Sequence, residues 1–187
     1  LDDPDCVVYG GYVYCVGGDT SSGTVSNVYS GLLTGSGVPQ WYSATNFPVS
    51  VDAEGISCMA YNNYLICYCI ANKDFYYASI SSGFVGSWST VTTIGAPSAY
   101  AGASCGIYDG YINCFFWNDA DLDEYICSVS ASTLTSTPNG GSVTFNPTGP
   151  FNKNNLCAGS YPLGYAVSSD GYFFVLGTAF HSGTSCS

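Results

Sequence analysis

Cys6-Val-Val-Tyr-Gly-Gly-Tyr-Val-Tyr-Cys15 is a ten-residue unit that the chain repeats with the same cysteine spacing from Cys58 to Cys67 and from Cys105 to Cys114. At the centre of each unit stands a turn pair, Gly10-Gly11, Asn62-Asn63 or Asp109-Gly110. These dipeptides tolerate the positive φ that a two-residue type I′ turn requires, so each unit reads as a β-hairpin. Counting outward from the turn, Tyr9 and Tyr12 form a hydrogen-bonded pair, Val8 and Val13 a non-bonded one, and the alternation makes Cys6 and Cys15 non-bonded partners that face each other. Such partners have Cα atoms about 4.5 Å apart, which meets the lower limit of disulfide geometry at about 4.4 Å. Three cross-strand disulfides are predicted: Cys6–Cys15, Cys58–Cys67 and Cys105–Cys114.

After each hairpin come a polar or acidic loop, a third β-prone run, a Gly/Ser loop and often a strand opened by tryptophan. The first repeat reads as strands over 5–9, 12–16, 27–33 and 41–47, and the second as strands over 57–61, 64–70, 75–81 and 88–93. Trp41 precedes Cys58 by the same 17 residues that separate Trp88 from Cys105, which marks the two as related repeats. The third repeat keeps its hairpin and a third strand over 124–130, with a degraded fourth strand around Val143 to Phe145. A fourth hairpin turns at Asp170-Gly171, where Ala166 and Val175 take the places of the paired cysteines. Turn centres at 10, 62, 109 and 170 recur after 52, 47 and 61 residues, close to the spacing of four-stranded propeller blades. No helical periodicity competes. The expected fold is all-β: one domain over 1–187, a propeller-like array of four-stranded antiparallel blades with repeats near 5–56, 57–103, 104–156 and 157–187. A β-sandwich also gives short, evenly spaced strands but does not require a repeated blade.

The 187 residues are 47% hydrophobic, enough to bury a core. Ten cysteines point to an oxidising compartment and an extracellular protein. No leader is visible in residues 1–5, which fits a mature form or part of something longer. No apolar run reaches the roughly 20 residues of a membrane helix. Lys73 and Lys153 are the only basic residues against thirteen acids, and there is no arginine. Nucleic-acid phosphates are neutralised by clusters of Lys and Arg, so nucleic acid is excluded as a partner. So few charges, mostly carboxylates that are neutral in strong acid, would suit an acidic habitat.

Tyr12-Val-Tyr-Cys-Val-Gly-Gly18, Asn27-Val-Tyr, Trp41 and Phe47-Pro48 together resemble a kelch repeat, with its aliphatic strand, Gly-Gly doublet, downstream Tyr and later Trp. Repeats two and three carry Cys69-Ile70 and Phe116-Trp117 where the doublet stands, and repeat four keeps Leu176-Gly177. The cysteine-bridged hairpin resembles that of secreted kelch-type proteins of thermoacidophilic archaea. The resemblance implies a propeller. Four hairpins leave open a small closed ring, an arc completed by another chain, or part of a longer propeller.

With strands alternating in direction, eleven of the thirteen acids fall on the face of the second-to-third loops and inter-repeat connections: Asp2, Asp3, Asp5, Asp19, Asp52, Glu54, Asp74, Asp119, Asp121, Asp123 and Glu124. Both lysines fall there too. The hairpin-turn face keeps only Asp109 and Asp170, and its loops over 34–40, 81–87 and 133–141 carry no acid. Tyr9, Tyr12, Tyr61, Tyr64, Tyr108, Tyr111 and Tyr172 flank these uncharged turns and form the candidate contact surface, although aromatic pairs also serve to stabilise sheets. Asp119, Asp121, Asp123 and Glu124 alternate as ligands of Ca²⁺ do, but the glycine and final glutamate of the complete loop signature are missing, so a solvated acidic loop is the simpler reading. No other cofactor is implied.

His181 is the only histidine, with Ser182 and Ser185 near it in sequence. A nucleophile needs an oriented base beside it. Kelch-fold oxidases of the galactose oxidase type use two histidines on copper, and propeller sialidases use an arginine triad; this chain has neither set. A glycosidase needs two placed carboxylates, which the acidic face offers. The other cysteines, Cys69, Cys127, Cys157 and Cys186, allow three pairings; joining Cys69 to Cys127 links neighbouring blades and leaves Cys157 with Cys186 to hold the C-terminal segment. Zinc fits an extracellular four-cysteine set poorly. The sequence therefore points to a secreted, non-catalytic module for protein contacts or self-assembly at a cell surface, as in an adhesin, surface layer or filament. The other reading is a carbohydrate-binding or glycoside-cleaving propeller. No Asn-x-Ser/Thr sequon with an allowed middle residue occurs, while many Ser and Thr are open to O-linked sugar.

Overall fold

The computed structural model describes residues 2–38, 40–51, 55–96, 102–117, 124–150, 166–169 and 172–175. Its first hairpin is β1 (Asp5–Tyr9) and β2 (Tyr12–Val16), paired Cys6 to Cys15 and Tyr9 to Tyr12. All six residues of the three described turns have positive φ, including the non-glycines Asn62, Asn63 and Asp109, as a type I′ turn demands. The three disulfides are formed, across Cα separations of 4.0 to 4.1 Å.

The first sheet runs β1-β2-β5-β6, with β5 at Val28–Leu32 and a short edge strand β6 at Tyr42–Ser43. Between β2 and β5 a small separate hairpin forms from β3 (Asp19–Thr20) and β4 (Gly23–Thr24). The second sheet is built from β7 (Ile56–Tyr61), β8 (Tyr64–Cys69), β9 (Asp74–Ser81) and β11 (Ser89–Ile94), while β10 (Phe84–Val85) folds back on β9. The third is β12 (Gly102–Tyr108), β13 (Tyr111–Trp117), β14 (Glu124–Ser130) and β16 (Asn146–Pro150). The last hairpin, β17 (Ala166–Ser169) and β18 (Tyr172–Val175), pairs Ala166 with Val175 where its relatives have cysteines. Its turn, Asp170-Gly171, lies outside the described residues.

The structure departs from the sequence reading in several elements: the strand expected over 41–47 is only β6, the β3–β4 hairpin and β10 form in stretches expected as loops, and two larger departures follow the third hairpin. The segment read as the degraded fourth strand of repeat three is β15 (Gly141–Thr144), which runs parallel to β11 and extends the second sheet; β16 takes the fourth place in the third sheet instead. Asn139 Oδ1 accepts the Thr90 N–H at 2.8 Å, and Phe145 N–H donates to Ile94 O at 2.8 Å, so the segment is clamped at both ends. Phe145 is fully buried against Tyr68, Phe75 and Phe116, a placement worth roughly 1.5–3 kcal/mol. A short helix, α1 (Ala131–Ser136), also occupies a stretch read partly as a turn-face loop. Ser130 Oγ accepts the Thr133 N–H as its N-cap, and Ala131 and Leu134 are its buried residues.

Alternate residues of the second sheet enter different cores, because successive strand side chains point to opposite faces. Leu65, Cys67 and Cys69 of β8 join Tyr14, Val16, Val28 and Phe47 in a core shared with the first sheet. Ile66 and Tyr68 join Phe75, Cys114, Phe116 and Cys127 in a core shared with the third. Burial on both sides explains why β8 reads Tyr-Leu-Ile-Cys-Tyr-Cys with no charge. The same geometry corrects the expected Cys69–Cys127 bridge: the two are buried thiols in different cores, with the second sheet between them. Cys157 and Cys186 lie outside the described residues. The molecule is thus an all-β stack of separate sheets that do not close into a ring among the described residues.

Candidate functional site

The sheets meet along their first strands, with β1 beside β7, β7 beside β12 and β12 beside β17. These are edge strands, and a non-bonded cysteine pair turns the first cysteine's N–H away from its hairpin partner and over that edge. At the seam the residue before one hairpin's first cysteine receives the N–H of the next hairpin's first cysteine. Asp5 Oδ2 accepts from Cys58 N–H at 2.5 Å, and Ser57 Oγ accepts from Cys105 N–H at 2.9 Å. A second contact lies nearer the turns: Tyr9 OH accepts from Asn63 N–H at 3.1 Å, and Tyr61 OH lies 3.3 Å from where a Cβ on Gly110, the equivalent of Asn63, would stand. Asp5, expected at the start of the first strand on the acidic connection face, is a seam residue. Burial pushes its carboxyl up to about 6, against the opposing pull of the Cys58 and Cys6 N–H groups.

The seven predicted contact tyrosines divide accordingly. Tyr9 and Tyr61 are half-buried in the seams. The Tyr12 ring lies 2.9 Å from a Cβ placed on Gly83, and Tyr64 packs edge-on to Tyr77 with ring centres 5.7 Å apart. Tyr108 and Tyr111, 45% and 53% exposed, present their rings beside the third turn. Tyr172 lies on β18, where the backbone alone is described. Asp119, Asp121 and Asp123 fall outside the described residues and Glu124 is described only as backbone of β14. Among the described residues no three His, Cys, Asp or Glu side chains gather as a metal-ligand group. Asp52, Glu54, Lys153 and His181 also lie outside the described residues.

Two surfaces of the first sheet escaped the sequence reading. One is a cleft of about 460 Å³ between β6 and β10, rimmed by the exposed rings of Tyr42 and Phe84. Across its floor, Ser30 Oγ donates to Gly83 O and Thr45 Oγ1 to Val85 O, each at 2.6 Å, so the two sheets are tied where the cleft forms. Among the described residues no acidic or basic side chain lines it. The other is the outer face, which carries the Cys6–Cys15 bridge, Val8 and, above Gly31, Val38 and Trp41. Val8 is 58% and Trp41 47% exposed. The signal for this face was present in the matching positions of Trp41 and Trp88, which only the packing could turn into one covered and one uncovered ring.

No protein-family model and no curated protein matches the chain. Fold and geometry define a class: an oxidised all-β array whose hairpins are stapled internally and hydrogen-bonded to one another. Among the described residues no helix is long and apolar enough to cross a membrane.

Proposed function

We propose that this chain is a secreted, non-catalytic contact module, kelch-like in its repeats and propeller-like in its sheet order, that mediates protein association at a cell surface. The observation that carries this reading is a rigid, disulfide-stapled frame whose exposed large side chains at the first sheet, Val8, Leu32, Trp41, Tyr42 and the adjoining Phe84, are apolar or aromatic. Exposed apolar side chains on both faces of one sheet offer the kind of surface that interaction sites use. Three disulfides favour an oxidising location, hence an extracellular one. Light scattering at high concentration in acid and neutral buffer, with cell fractionation, tests the proposal: self-association or a surface-bound fraction supports it, and a clean monomer with no such fraction removes it.

The Tyr42–Phe84 cleft favours a second reading, binding of neutral carbohydrate. Two aromatic rims over a hydroxyl-bearing floor suit the apolar face and hydroxyls of a sugar ring. The reading is of binding, carried by the aromatic rims and the hydroxyls. A glycan array with wild type and Tyr42→Ala checks this; signal that falls with the variant supports it, and a blank array removes it.

A further inference from the structure

The residue before the first cysteine is Asp5 in the first hairpin, Ser57 in the second and Ser104 in the third. The place is the same and the chemistry differs. Ser57 closes the seam between the second and third sheets with a neutral hydroxyl, whereas Asp5 sets a carboxyl between the first and second, where its Oδ2 takes the Cys58 N–H. Cys6 N–H is a second donor to it, and no cation lies against it among the described residues. A carboxylate shut away from water without a cation gains less from two N–H groups than it loses in hydration, so the closed seam prefers the protonated form. The other ties across this seam, from Ser30 to Gly83, Thr45 to Val85 and Asn63 to Tyr9, are between uncharged groups.

The other described titratable side chains on the strands around Asp5 are Tyr9 on β1, Tyr12 and Tyr14 on β2 and Tyr61 on β7, a residue type that ionises at about pH 10. Asp2 and Asp3 precede it and are exposed, and Asp19 is joined to Asp2 by paired backbone hydrogen bonds. Asp52 and Glu54 lie outside the described residues.

We infer that the first seam is a proton-held latch: with Asp5 protonated the first sheet stays seated on the second, and with Asp5 ionised it opens locally while the second and third sheets remain together. Opening uncovers the core shared by the first two sheets, and with it the fully buried thiol of Cys69. Cys127, the other buried thiol, lies in the core between the second and third sheets, which β15 stitches together. The Tyr42–Phe84 cleft has one wall on each of the first two sheets and parts with the seam. A carboxyl that moves from 3.8 when the seam is open to about 6 when it is closed raises the open-to-closed ratio about a hundredfold between pH 3 and pH 7.

The test is labelling of the full oxidised chain with dipyridyl disulfide, a reagent that reacts with thiols in acid and at neutral pH. Peptide mapping separates Cys69 from Cys127, and each rate is divided by that of the urea-unfolded chain at the same pH. Expected is Cys69 labelling that rises about a hundredfold from pH 3 to pH 7 and loses this dependence in Asp5→Asn. It should also run ahead of Cys127 with a weaker urea dependence, because one sheet opening exposes less surface than unfolding does. Asp5→Ser, which copies the second seam, gives another route should the Asn change impair folding. Cys69 labelling that is flat with pH overturns the inference, as does a slope that both variants keep. Cys69 and Cys127 labelled in step, with the same urea dependence, overturn it too, since the whole molecule then opens at once.

Discussion

Asp5 and Ser57 do the same job with different chemistry, and the difference has a pH signature. The folded Asp5 carboxyl holds its proton up to about pH 6, whereas in the unfolded chain it releases it near 3.8. The native state therefore binds the extra proton between those values; this group's contribution is most favourable below about pH 4 and is lost as pH rises through 6, at a cost on the order of 3 kcal/mol. Asp5→Asn, which keeps an acceptor for Cys58 N–H and cannot ionise, is expected to flatten that dependence. The measurement is the shift in urea midpoint between pH 3 and pH 7 relative to wild type. Ser57→Ala leaves the buried Cys105 N–H without its acceptor and is expected to lower stability by about 1–3 kcal/mol at either pH, read from the same curves. None of this was legible in sequence, where Asp5 counted as one more acid of the connection face: its partner is 53 residues away and belongs to another sheet.

Hairpins were the legible elements, because a two-residue turn fixes the register of every residue before and after it, and neither the disulfides nor the Ala166–Val175 substitution needs knowledge of the rest of the fold. Register says nothing about which sheet a later segment joins. β15 was read as a weak antiparallel fourth strand, yet it pairs parallel with β11 because Phe145 fills the core between the second and third sheets. Each ten-residue loop closed by a disulfide is worth about 2–3 kcal/mol on loop entropy, so Cys58→Ala/Cys67→Ala is expected to lose that amount in denaturant unfolding. Under mild reduction Cys6–Cys15 should open first, since Cys6 is exposed while Cys67 and Cys114 are fully buried. Timed alkylation with mass spectrometry gives the order. Cys127 stands in line with the Cys105–Cys114 bridge, paired to Cys114 across β13 and β14. Burial pushes its thiol up to about 11, which keeps it a poor nucleophile. The folded chain is expected to show no exchange of this bridge at neutral pH and no Cys69–Cys127 linked peptide on unreduced mapping; either product would contradict the buried-thiol arrangement.

The whole molecule is a stack held by two kinds of seam. The first and second sheets are joined by side chains and a few hydrogen bonds. The second and third share these and a covalent crossing as well, since the chain leaves β14, passes through α1, lays β15 into the second sheet and returns to the third as β16. That path works like a stitch through two layers of cloth: neither layer can be lifted away while the thread lies flat. Stretched by its ends, the molecule should give up the first sheet in one event and the stitched pair together in another, so force–extension traces would show the second and third sheets yielding as a single step. Clipping the thread with Gly141→Pro, which puts a rigid ring at the start of β15, is expected to split that step into two.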